Sequence, residues 1–427
     1  MGNALFFLVP ILLSFETVAF ADEPFAFGDF TWLNGNSRET VSPLDTPYFT
    51  PEVLFDSNYV YDFAEPQDHT LSGSTTTGRT NEFQVQQIGV GGDFHYQNVR
   101  ARIMTQFGMY STMNPRDDGT ATRGQWSLTN AYRYLSEASA GYHWNVWSGI
   151  NLDAGIFLSY IGLESYYNIE NWNYQMSYIS ANTPWFFNGV RLQTFPTDRF
   201  KAEFWLVNGW ESYGMFNNAP GLGFQLLWRP TSDWSVVTNE YWGHDTLGNA
   251  SRVRFHSDDS IQYRYYNHPS NSGLSKMAFA LTFDLGCEAG GGVQCLSSDP
   301  ADPAQNFLGI MAYNRFWFAK DKFGLTVGGG AITNPGRYLV LTPPINGATA
   351  ASPSPYFTQN PGDQFKAWDS SIAVDYMPSQ YMTLRLEYIH RAADVPYFAA
   401  SGGMSGGGTP DLSKIENRID TAFMVRL

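Results

Sequence analysis

Charged residues are scarce in this 427-residue chain, with Asp, Glu, Lys and Arg together making up 15% of it. Basic residues are the scarcer kind, 25 Lys and Arg against 40 Asp and Glu, for a formal net charge of -15. That balance excludes nucleic acid as a partner, which needs a basic surface. Long apolar runs are also missing. Beyond the first few residues no twenty-residue apolar span occurs, which excludes a bundle of membrane-crossing helices. No linker or shift of composition divides the chain, although its length alone suggests two or three soluble domains.

Cysteine is limited to Cys287 and Cys295, on either side of a Gly-rich stretch. No His or further Cys lies nearby to complete a tetrahedral set, so in an exported protein the pair reads as a disulfide and not a metal site. No cofactor is expected. Enzyme signatures are equally thin: the seven His residues are scattered, none is paired at ligand spacing, and no Gly-x-Ser-x-Gly elbow occurs. His143 and His390 are the residues on which a rival reading, an outer-membrane hydrolase, would rest. Gly290–Gly292, Gly402–Gly403 and Gly406–Gly408 lack the Lys-Ser/Thr of a phosphate cradle and read as flexible loops.

What the chain does have is aromatic residues, 16% of the total, and a restarting alternation of apolar with polar residues. Ile150 to Tyr160 shows it, with apolar side chains at even positions and mostly small or polar ones at odd positions. Side chains alternate faces along a strand, so such a run has one face suited to lipid and one to water. About sixteen runs follow, joined alternately by tight turns and long polar loops. This is the pattern of an all-β, transmembrane antiparallel barrel of about 16 strands, with short periplasmic turns and long extracellular loops. The bland alternative is a large soluble all-β protein whose aromatics fill a core. Sixteen is an even count, as closed single-chain bacterial barrels require.

Residues 1–21 read as an export signal: Leu5 to Leu13 is an apolar core and Ala19-Phe20-Ala21 a cleavage site, although no Lys or Arg precedes the core. Residues 22–50 form either a periplasmic extension or a lumen plug, and 51–427 the barrel. The last run alternates Ile419, Phe423, Val425 and Leu427 with Arg418, Asp420, Ala422 and Arg426. Barrels of this type usually end in an aromatic residue that the barrel-insertion machinery reads, a place held here by Leu427.

The face opposite the lipid-facing residues carries charge. Arg100, Arg102, Arg133, Glu137, Asp153, Arg191, Arg264, Arg385, Glu387, Arg418 and Asp420 are candidates to line the lumen, together with Glu164 and Glu170 of the third long loop, 162–185. The bland reading is that they pair across strands and brace the wall. The sharper one is an eyelet, in which Arg100, Arg102, Arg133 and Arg418 face Glu164 and Glu170 and set up a transverse field that orients solutes. The third loop is unusually aromatic, with Tyr166, Tyr167, Trp172, Tyr174, Tyr178 and Trp185. Such residues suit a sugar track, but equally wall packing or a subunit contact.

Phe30 to Arg38, Gly92 to Tyr96, Pro184 to Gly189, Asn208-Gly209-Trp210 and Ala219 to Gly223 resemble segments of the β-barrel porin-2 family of Gram-negative outer-membrane proteins. The resemblance spans the chain beyond residue 21. It implies a single outer-membrane barrel with porin activity and supplies no pore residues to carry over. The expectation is a non-enzymatic porin that lets small hydrophilic solutes diffuse through a water-filled lumen narrowed by loop 162–185, in contact with outer-membrane lipid and compatible with a homo-trimer. The alternative to it is a hydrolase, or a structural or adhesion barrel with a plugged lumen.

Overall fold

The computed structural model describes residues 23–119, 124–299, 304–336, 338, 365–403 and 411–427. The export signal expected at 1–21 lies outside them. One antiparallel sheet of sixteen strands closes into a barrel. The first eight are β1 (Phe49–Asp62), β2 (Phe83–Tyr96), β3 (Val99–Thr105), β4 (Leu135–Trp144), β5 (Ile150–Leu158), β6 (Phe186–Thr197), β7 (Phe200–Val207) and β8 (Gly221–Trp228). The rest are β9 (Trp234–Gly243), β10 (Val253–Asn267), β11 (Leu274–Ala289), β12 (Asn306–Phe318), β13 (Phe323–Asn334), β14 (Phe365–Ser379), β15 (Met382–Ala393) and β16 (Ile415–Arg426). Each strand pairs with its neighbours in sequence, and β16 pairs with β1 in the register Leu54↔Arg426 to Asp62↔Arg418. Closure satisfies every edge, which matters because an unpaired backbone group in hydrocarbon costs on the order of 2–7 kcal/mol.

The alternation behaves as the sequence predicts. Along β14 the outward Trp368, Ile372, Val374 and Tyr376 are exposed, while the inward Asp369, Ser371, Ala373 and Asp375 are buried. Short turns such as 97–98 and 198–199 gather at one end of the barrel and long connections at the other. Among the described residues no helix is long and apolar enough to cross a membrane.

Several strand ends shift by a few residues from expectation, and two of these shifts have a clear physical reason. The alternation of Tyr132, Arg133 and Tyr134 predicts a strand over 132–144, but β4 starts at Leu135, because Leu128–Tyr132 forms a short helix whose Asn130 N donates to the Ser127 hydroxyl at 3.2 Å. Arg133 therefore sits at that helix's end and not on a strand. The apolar alternation begins at Ile261 and predicts a strand from there, but β10 begins at Val253, because Phe255 is the one apolar residue of Arg254 to Ser260 and leaves no alternation to read. Cys287, near the end of β11, is disulfide-bonded to Cys295.

Candidate functional site: the barrel lumen

Two segments enter the lumen. The third long connection, 159–185, lies against the inner faces of β12, β14, β15, β16 and β1. Its main chain is the part held: Tyr174 N donates to Glu387 Oε2 at 2.5 Å, Tyr178 N to Asp369 Oδ2 at 3.0 Å, and Arg385 Nη2 to the carbonyl of Asn171 at 2.6 Å. Its side chains reach the same wall, with the Tyr174 hydroxyl on Asp56 Oδ1 at 2.8 Å and Asn168 on Asp56 Oδ2 at 2.9 Å. Arg418 donates to Gln175 at 2.5 Å and Arg426 to Glu170. The aromatic residues of this connection pack as a core, Tyr166, Tyr167 and Tyr174 in one cluster and Trp172 and Tyr178 in another.

The second segment, residues 23–41, runs across the short-turn end. Phe25 N donates to Asp198 O at 2.7 Å, the Trp32 indole to Ser232 O at 3.0 Å, Arg38 to Thr383 Oγ1 at 2.6 Å and Thr40 N to Gln380 Oε1 at 2.9 Å. It also meets the third connection, where Trp172 N donates to Asn34 Oδ1 at 2.8 Å and the Trp172 indole to Trp32 O at 3.1 Å. Gly35 is required at this contact: its φ is +78°, and a Cβ there would collide with the carbonyl oxygen of Leu163.

A cavity of about 730 Å³ remains beside these segments, along the inner faces of β2 to β10. Arg100, Arg102, Glu137, Asp153 and Arg191 line it, joined by Asp93, Lys201, Glu203 and Arg229. Most of its charges are paired. Asp153 takes Arg191 at 2.8 Å and Arg100 at 3.3 Å, while Arg102 reaches Glu52, Asp93 and Glu137 at 2.9, 2.7 and 2.8 Å. Lys201 is 2.7 Å from Glu203.

The structure does not bring the expected eyelet together. Arg100 and Arg102 are on β3 and Arg418 on β16, so β1 and β2 lie between them. Glu170 pairs with Arg426, and Arg418 with Glu416 at 3.2 Å. Glu164 is 6% exposed, its carboxyl buried beside the Ser180 and Asn34 side chains. Burial pushes that carboxyl up to about 8, and the nearby carboxylates of Asp369 and Glu387 add to the effect. Arg264 is held by Asp233 at 2.7 Å, and Arg385 by Asp375 at 2.6 Å. Glu387 and Asp420 are fully buried under the third connection. Neither histidine meets a carboxylate through its hydrogen bonds: His143 contacts Asn151 and Asn145, each at 2.8 Å, and His390 contacts Asn417 at 2.8 Å.

The sequence candidates omit Glu52, which lies before the first recognisable alternation, and Arg229, which follows the end of β8, and they give no role to Asp56, whose partners lie more than a hundred residues away. Only the alternation itself signals that they face inward.

The model of the family described as Putative beta-barrel porin-2, OmpL-like, matches residues 53–425. The chain belongs to this family. It is an outer-membrane β-barrel of the Gram-negative type. The fold of this porin-2 member is similar to that of the anion-selective porin from Comamonas acidovorans, with a TM-score of 0.52 at 8% identity over 89% of this chain and 99% of that one. It is also similar to the trimer form of in-vitro folded OmpT of Vibrio cholerae, with a TM-score of 0.51 at 10% identity over 90% of this chain and 100% of that one. No curated protein matches it in sequence.

Proposed function

We propose that this barrel lets small hydrophilic solutes diffuse passively through the lumen between the third connection and the inner faces of β3 to β9. The observation that carries this reading is the cavity of about 730 Å³ with its charged lining. A ring of sixteen strands is too wide for side chains alone to fill, and porins of that size hold water. The third connection occupies one side and narrows what remains, so the path runs off the barrel axis. Arg100, Arg102, Glu137, Asp153 and Arg191 line it. Arg133, Glu164, Glu170, Arg264, Arg385, Glu387, Arg418 and Asp420 serve the wall and the loop.

The short turns face the periplasm, and residues 23–41 cover part of that mouth as a plug. Outer-membrane lipid surrounds the barrel after delivery by the insertion machinery, and the assembled form is a homo-trimer, as in the form of OmpT to which the fold is similar. Purified protein in planar bilayers is expected to show stepwise conductance, and a silent barrel removes the reading. The second reading is a closed barrel, favoured by Trp32, which is 1% exposed at the covered mouth. Silence in bilayers together with an intact, heat-modifiable barrel selects it.

A further inference from the structure

Four of the five cations that line the lumen cavity, Arg100, Arg102, Arg191 and Lys201, lie within 3.3 Å of a carboxylate. The fifth does not. Arg229 follows the last residue of β8 on its inward-facing side, at the short-turn mouth, and its side chain makes no ion pair or hydrogen bond among the described residues. Its Nε is shielded from solvent without a partner. Burial alone acts on the guanidinium, lowering it to about 10.

What holds Arg229 in place is aromatic. Its guanidinium carbon stands 4.7 Å from the ring centre of Phe25 and 4.5 Å from that of Phe30, both in the segment that crosses the mouth. A ring face attracts the charge and uses none of the N–H donors, which remain available in their planar fork. The backbone is fixed as well, with Arg229 N donating to Arg199 O at 2.9 Å. The result is a positioned, charge-unmatched guanidinium on a cavity wall, with apolar surface from Phe25, Phe30 and Leu227 around it.

We infer that Arg229 is the docking point for a small monocarboxylate with an apolar end, held by the guanidinium fork at the short-turn mouth with its tail against the phenyl rings. A carboxylate matches the fork with two parallel hydrogen bonds, and its single charge equals the one charge left over. A neutral solute leaves those donors unpaired, and a dianion brings a charge the site does not balance. The inference rests on the lumen being the solute path, so its test needs one readout that depends on conduction and one that does not.

Benzoate serves as the probe, with benzamide as its uncharged analogue and inorganic phosphate as the competing oxyanion. In bilayers, benzoate added on the short-turn side should reduce single-channel current while benzamide and phosphate do so far less. In detergent, calorimetry should show benzoate binding to the full-length protein that weakens about tenfold in Arg229→Gln, the effect of losing one charge-assisted contact. Arg229→Lys, which keeps the charge and loses the fork, should fall between. Benzoate binding that is unchanged in Arg229→Gln, or matched by benzamide or phosphate, overturns the site. A silent bilayer with Arg229-dependent benzoate binding supports the site and removes only the channel.

Discussion

Asp375 and Arg385 lock together inside the barrel wall, with Nε 2.6 Å from Oδ1 and Nη2 3.0 Å from Oδ2. Arg315 reaches the same carboxylate at 2.6 Å. Both arginines then donate onward to the third connection, Arg385 to Asn171 O and Arg315 to Trp172 O at 2.9 Å. One carboxylate thus orients two cations that grip a loop backbone.

Asp375→Asn leaves two buried guanidinium groups facing each other without the carboxylate that bridges them. Removing one partner of a buried pair typically costs about 3–5 kcal/mol. The variant should unfold at lower denaturant concentration, and its single-channel conductance should rise and become noisier as residues 171–172 lose their anchors. Unchanged noise with lowered stability would confine the cluster to bracing the wall.

Glu164 sets a pH dependence. Its folded value of about 8 lies above the ordinary 4.5, so the folded protein binds this proton more tightly than the unfolded chain does. The stabilisation is complete below about pH 4.5 and is lost as pH rises through 8. Stability, followed by thermal melting, should therefore decline between about pH 4.5 and 8 and level off above that, while loop order, followed by current noise, should change as the folded carboxyl titrates around pH 8. Glu164→Gln should flatten that slope.

Trp32 joins the two segments within the lumen, since its indole donates to the turn at Ser232 and its carbonyl accepts from Trp172. Trp32→Ala removes a fully buried aromatic, at a cost of about 3–5 kcal/mol if the site does not collapse. Because the barrel ladders do not run through it, the loss should appear locally. Conductance should increase, and protease should reach residues 23–41 while the barrel stays resistant.

Glu240 and Asp259 point outward near mid-strand, joined through the Ser257 hydroxyl at 3.0 and 3.3 Å. Along β10, Asp259 lies midway between the outward aromatics Phe255 and Tyr263. A carboxylate facing hydrocarbon at that depth is a cost, smaller than the 2–4 kcal/mol typical of Arg or Lys. Asp259→Val should therefore raise the stability of detergent-solubilised monomer by about 1 kcal/mol. If it instead dissolves an oligomer on native gels, the pair belongs to a subunit contact.

The strands were legible where one face is apolar. The alternation from Ile150 holds as far as Leu158 in β5, and Met277, Phe279, Leu281, Phe283 and Leu285 likewise face outward along β11, while Tyr160 is buried in the third connection. It failed in Arg254 to Ser260, where the outward face carries Ser257 and Asp259 beside the single apolar Phe255 and so loses its contrast with the polar interior. Arg133 falls outside β4 because a short helix ends just before it, although Tyr132, Arg133 and Tyr134 alternate as a strand would. The aromatic third connection stood out at once. Its anchors did not, because Asp56, Asp369 and Glu387 lie far away in sequence and show only inward polarity.

The seam between β1 and β16 constrains the order in which the barrel is made. Val53 N donates to Leu427 O at 2.8 Å and Leu427 N returns the bond to Val53 O at 2.9 Å, so the first and last strands of the cylinder zip together. Until that seam forms, the sheet is an open sleeve and the third connection, anchored on β14 to β16 and β1, straddles the gap. If the loop settles before the seam closes, the last strands wrap around it. Variants that loosen it should be slow to insert as well as noisy once inserted.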